Sequence, residues 1–190
     1  MNVERIVVFE DAECERLQPL VHLQPVWELR CGMMTLLERI RRAHSDKSVI
    51  LRCRELLADT AAEDNPDETV NKEAEGDFLL LNGRLCSCGE FAGMTSGDDE
   101  CVVCSDDGQI LAALLKNIRL QDYFNDEGLL DIERLRRPNP PERRLGDVRI
   151  ISHLWDLIKH NEAMLREDWR TLYAALPQHR GDVATGAVLD

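Results

Sequence analysis

Three short, unbroken apolar runs, Arg5-Ile-Val-Val-Phe9, Ser48-Val-Ile-Leu51 and Phe78-Leu-Leu-Leu81, constrain this 190-residue chain more than any other feature. A strand of this kind has no polar face, so it must be covered on both sides, as in a parallel sheet flanked by helices. The segments between the runs fit that arrangement. From Val26 the spacing of Leu29, Met33, Leu36, Leu37 and Ile40 predicts a helix, with Pro25 at its first turn and Arg39, Arg41 and Arg42 near its end. A shorter helical stretch is expected around Arg54 to Ala58. Farther on, Glu100–Ser105, Asp106-Asp-Gly108 and Gln109–Leu115 read as strand, tight turn and strand, and Val148–Ile151 as one more strand. Ser152 then caps a long helix whose apolar stripe runs through Leu154, Leu157, Ile158, Asn161, Leu165, Trp169, Leu172 and Leu176. Alternating strands and helices imply an α/β domain with a mainly parallel sheet, and such sheets take ligands beyond the carboxyl ends of their strands.

Composition narrows the partners. A hydrophobic content of 44 % is enough for a real core, and no apolar run approaches the roughly 20 residues that span a bilayer. The N-terminus carries no export signal, so a cytoplasmic protein is expected. The net charge of −13 repels phosphate backbones and anionic lipid, so neither nucleic acid nor membrane is expected as a partner. Between Asp59 and Asp77 eight acidic side chains face a single base, Lys72, which reads as a solvated loop. A second charged cluster, Arg134, Arg136, Arg137, Arg143 and Arg144, flanks three prolines and reads as solvated surface or a contact for an anion.

Seven cysteines without an export signal favour reduced thiols or a metal site over disulfides. Cys86-Ser-Cys88 and Cys101-Val-Val-Cys104 stand near zinc-ribbon spacing and are candidate zinc ligands. Against this, Val102 and Val103 favour a strand, in which Cys101 and Cys104 would point to opposite faces. Both readings stay open on sequence.

Three passages together resemble the sugar nucleotidyltransferase family, whose members are similar to bacterial N-acetylglucosamine-1-phosphate uridylyltransferase. They are Phe9-Glu-Asp11 with Leu17-x-Pro-Leu20, Pro25-Val26, Glu28-Leu-Arg30 and Gly32-x-x-Thr-Leu36; then Phe78-Leu-Leu-Leu-Asn-Gly-Arg-Leu85; and Leu154-Trp-Asp-Leu157 with Asn161, Leu165 and Asp168-Trp169. The resemblance implies a nucleotide-diphospho-sugar transferase fold, here reduced or degenerate, over residues 1–177. It further implies that 178–190 begin a hexapeptide-repeat β-helix, through which the protein could form a homo-oligomer. The implied reaction joins a sugar 1-phosphate to a nucleoside triphosphate, giving a nucleotide sugar and pyrophosphate, with Mg²⁺ as cofactor.

The chain departs from the family's pattern at several points. Glu10-Asp11-Ala-Glu13 stands where a Gly-rich loop is expected, Pro25-Val26 replaces a Pro-Lys pair, and Arg84 replaces a metal-binding Asp. Either catalysis has moved to other residues, or the domain binds sugar phosphate or nucleotide without turnover, in support of a β-helix acyltransferase-like partner domain. The candidate phosphate- and substrate-binding residues are Arg30, Gly32, Asn82 and Arg84. Glu10 and Asp11, which directly follow the first strand, are the candidate Mg²⁺ ligands. Arg30 and Arg84 are expected to converge on one crevice, and Trp155 and Trp169 are expected to pack in the interior.

Overall fold

The structure is a computed structural model that describes residues 4–94 and 98–175. The proposed β-helix start at 178–190 lies outside the described residues. In chain order the strands are β1 (Arg5–Phe9), β2 (Arg30–Cys31), β3 (Met34–Thr35), β4 (Ser48–Arg52), β5 (Thr69–Val70), β6 (Glu75–Asn82), β7 (Cys101–Cys104), β8 (Ile110–Arg119) and β9 (Glu142–Arg144). The α-helices are α1 (Leu36–Ala43), α2 (Ala58–Asp64), α3 (Ile132–Arg136) and α4 (Leu154–Ala175).

Seven strands form one sheet in the order β5-β4-β1-β6-β8-β7-β9, and β2 pairs with β3 in a separate hairpin. Only β8 runs against the others, so the sheet is mainly parallel, as the apolar runs required. The strand β6 lies at its centre. Alternate residues of the central strands feed two separate cores. Ile6, Val8, Leu51, Leu79 and Leu81 face one side with Trp27, Leu36, Leu37, Ile40 and Met164. Val7, Phe9, Ile50, Phe78 and Leu80 face the other with Phe124, Leu130 and Leu135. Each fully buried aliphatic side chain contributes about 1.5–3 kcal/mol, so exposing either face would be costly.

Several local expectations are revised. The helix expected from Val26 begins only at Leu36. Thr35 and Glu38 form a reciprocal capping box there, and the preceding residues make the β2–β3 hairpin. The acidic stretch is not one loop, for it holds most of α2 and all of β5. Val148–Ile151 is not a sheet strand. It pairs with the segment after β6, through Cys86 N–H to the Arg149 carbonyl and Ile151 N–H to the Arg84 carbonyl. Among the described residues of α4 the buried positions are Asp156, Met164 and Asp168, while Ile158, Asn161, Leu165 and Trp169 of the expected stripe are exposed. No helix among the described residues is long and apolar enough to cross a membrane.

Candidate functional site

In the register of the sheet Phe9 lies beside both Arg52 and Asn82, so β1, β4 and β6 end level with one another. Because β8 is reversed, the turn between β7 and β8 reaches the same edge. Glu10-Asp11, Arg52–Arg54, Asn82–Arg84 and Ser105–Gln109 therefore crowd the carboxyl edge of the sheet. Asn82 and Arg84 lie at the end of the central strand, as expected.

These groups are largely bound to one another. The Glu10 carboxylate is fully buried and accepts four hydrogen bonds: from Val26 N (2.8 Å), and from Arg54 N, Nε and Nη2 (2.9, 3.1 and 3.1 Å). Asp11 Oδ2 accepts from Asn82 Nδ2 at 2.8 Å and from Arg84 Nη2 at 2.9 Å. Arg84 is itself fully buried. Its Nη1 donates to the Ile151 carbonyl at 3.1 Å and to Gln109 Oε1 at 3.0 Å.

A magnesium ion takes near-octahedral coordination and keeps several waters, so its carboxylate ligands must face solvent or substrate. Glu10 is 0 % and Asp11 2 % exposed, and each is already joined to a guanidinium that would repel a dication. Glu10 and Asp11 do not fit a magnesium site. They hold the strand ends together instead.

Arg30 does not join Arg84. It is exposed, donates to the Met33 carbonyl and lies 3.8 Å from Glu38, so the expected two-arginine pocket does not form. Gly32 is occupied structurally rather than by phosphate. It sits at φ +82°, where a Cβ would collide with the Asp168 carboxylate, and its N–H donates to Asn161 Oδ1 at 2.8 Å. Beside it Asp168 accepts from Met33 N at 2.8 Å and forms a buried, two-pronged pair with Arg39, which also donates to the Cys31 carbonyl at 2.7 Å. This clamp fastens the hairpin and α1 to α4.

The zinc expectation is also revised. Cys101 packs into one core and Cys104 into the other, because strand side chains three apart point to opposite faces. Cys86 and Cys88 lie in the first core, and Cys86 contacts Cys31 rather than Cys104. Among the described residues no three His, Cys, Asp or Glu side chains gather as a metal-holding group.

What faces outward at the carboxyl edge escaped the sequence. Gln109 links buried Arg84 to the surface: its Oε1 also accepts from Ser152 Oγ at 3.1 Å, and its Nε2 donates to Asp107 Oδ2 at 2.7 Å. Hydrogen bonds from Ser105 and Gln109 hold the Asp107 carboxyl below its usual range. Asp156 Oδ2 caps the start of α4 by accepting from Ser152 N (3.0 Å) and His153 N (2.8 Å). Next to it the rings of His153 and Trp155 stack at 4.5 Å and 9°. Trp155 is 63 % exposed, so it is not the interior packing residue expected. The Asp106-Asp-Gly108 turn was the only local signal that this edge would be polar and open.

A family model described as sugar nucleotidyl transferase matches residues 6–175. Among solved structures, a Bacillus anthracis protein described as a glucose-1-phosphate thymidylyltransferase, in complex with sucrose, superposes with a TM-score of 0.51 at 10 % identity, covering 86 % of this chain and 95 % of that one. The CTP:phosphocholine cytidylyltransferase of Streptococcus pneumoniae superposes with a TM-score of 0.50 at 12 % identity, covering 86 % of this chain and all of that one (100 %). At such identities the superpositions establish a shared fold of nucleotide-diphospho-sugar transferase type. Among curated proteins none matches the chain in sequence.

Proposed function

Because the chain belongs to the sugar nucleotidyl transferase family, matched over residues 6–175, we propose that it joins a sugar 1-phosphate to a nucleoside triphosphate at the carboxyl edge of its sheet. The phosphate oxygen of the sugar attacks the α-phosphorus, the α–β bridging bond breaks, and pyrophosphate leaves. The family match carries this reading. The polar segments Ser105–Gln109 and Ser152–Asp156, where Asp106, Asp107 and Trp155 are exposed, support its location, since ligands of such sheets bind beyond the strand ends and their loops.

The chain's own residues suggest a division of labour. The pairs Glu10–Arg54 and Asp11–Arg84 brace the edge from beneath, which keeps the surface groups in place before substrate arrives. Gln109 couples that braced layer to the surface. With Ser152 it offers hydrogen-bonding groups to a phosphate or a sugar hydroxyl. The exposed face of Trp155, backed by His153, offers a flat platform to a nucleobase or the apolar face of a sugar ring. Glu10 and Asp11 hold no metal in this scheme.

The test is pyrophosphate release from the purified protein, in buffer containing Mg²⁺, across a panel of nucleoside triphosphates and sugar 1-phosphates. Release that requires both substrates is expected, and Trp155→Ala should raise KM with little change in stability. Nucleotide binding without release across the whole panel would replace this reading with that of a non-catalytic binder.

A further inference from the structure

The carboxyl edge leaves the opposite edge of the sheet without a task. There β8 ends in Asn117-Ile-Arg119, with Arg119 in register with Glu75 at the start of β6. A groove of about 600 Å³ opens beside it, lined by Arg119, Arg134, Arg137, Asp122, Tyr123 and Asn117 among others.

The arginine-rich stretch of the sequence divides here. Arg136 pairs with Glu142 at 2.9 Å and Arg144 donates to the Asp106 carbonyl at 2.9 Å, and neither lines the groove. Arg134 and Arg137 instead turn to the groove, where β8 supplies Arg119. The Arg134 head is fixed in advance, 3.1 Å from Asp131 and 3.3 Å from the carbonyls of Asp122 and Phe124. A ligand meeting it pays little of the usual ordering cost. Arg119 touches Asp122 at 3.4 Å, but both side chains are more than half exposed. Such a pair is weak and exchanges readily for a better partner. Arg137 is exposed and carries no ion pair among the described residues. Three guanidiniums thus face one carboxylate on the groove wall. Asp131 stands behind Arg134, and Glu75 and Asp77 lie across the strands from Arg119 and Asn117, so the guanidiniums on the wall are a local concentration of positive groups on a chain whose net charge is −13.

We propose that this groove is a second anion site, separate from the carboxyl edge, that takes a phosphoanhydride: free pyrophosphate or the phosphate chain of a nucleotide. Arginine forks grip phosphate oxygens in pairs, and forks from the end of β8, from α3 and from the residue after it suit two adjacent phosphates better than one. The inference rests on the groove alone and does not depend on the reaction proposed above.

The test is titration of the isotopically labelled full chain with sodium pyrophosphate, followed by amide NMR, beside the double variant Arg119→Ala/Arg137→Ala. Both residues are exposed, and an unchanged urea midpoint verifies that the variant folds. Saturable shifts are expected at residues 117–119 and 134–137, and the variant should bind about tenfold more weakly or worse, the loss expected for charge-assisted hydrogen bonds. A smaller loss overturns the proposal. So do shifts reproduced by sodium chloride at equal ionic strength, or shifts confined to residues 105–109 and 152–156. That last pattern would leave the carboxyl-edge reading standing. Titration with a nucleoside triphosphate separates the two sources: parallel shifts identify the nucleotide chain, and their absence identifies free pyrophosphate.

Discussion

Replacing Arg84 by Met removes a guanidinium that is fully buried and makes three side-chain hydrogen bonds, to Asp11, Gln109 and the Ile151 carbonyl. Methionine fills much of the stem's volume, so the cost is mainly electrostatic. Asp11, only 2 % exposed, loses its countercharge. Breaking a buried pair from one side typically costs about 3–5 kcal/mol, a large part of the roughly 5–15 kcal/mol that holds a domain folded. The double variant Asp11→Asn/Arg84→Met removes both charges, so it should be less destabilised than the two single losses added together. Urea unfolding followed by tryptophan fluorescence, with buried Trp27 as reporter, reads all four proteins. A loss under about 1 kcal/mol for Arg84→Met, as at a surface pair, would refute the structural role. So would strictly additive losses.

Gly32→Ala should destabilise the protein by more than about 1 kcal/mol, since the left-handed backbone and the Asp168 carboxylate both oppose a side chain there; a neutral urea midpoint would contradict the clamp. Burial, and secondarily Lys47, depress the His44 pKa from its ordinary 6.5. Above about 6.5 both states are neutral at this residue, while below it the unfolded chain takes up the proton first. Stability should therefore fall on acidification below that value, and less steeply in His44→Gln; equal slopes would dismiss the assignment. Burial pushes the Cys14 and Cys53 thiols up to about 12, so neither should react with iodoacetamide at pH 8 until the protein unfolds. Carbamidomethylation of either residue in the natively treated protein, read by mass spectrometry, would contradict this.

The strands were legible because an unbroken apolar run tolerates only a doubly covered position, and Phe78–Leu81 indeed became the centre of the sheet. Elements fixed by distant partners were not. The hydrophobic spacing from Val26 suggested one helix, yet Gly32 and the Thr35 capping box divide it. Asp168 faces inward on α4 only because Arg39 waits 129 residues away, and no local pattern reports such a pair. The same holds at the candidate site. Glu10, Asp11, Asn82 and Arg84 do lie at the carboxyl edge, but sequence could not show that Asp11 would pair with Asn82 and Arg84 and Glu10 with Arg54. That left the surface to Gln109, Ser152 and Trp155, whose residue types carry no distinctive spacing.

The central claim is transfer of a nucleotidyl group, and phosphorus NMR of the reaction mixture tests it most directly. With a competent sugar 1-phosphate and nucleoside triphosphate, the account predicts that nucleotide sugar and pyrophosphate appear in equal amounts as both substrates disappear. Pyrophosphate formed without nucleotide sugar, or no change with any pair of substrates, would contradict it.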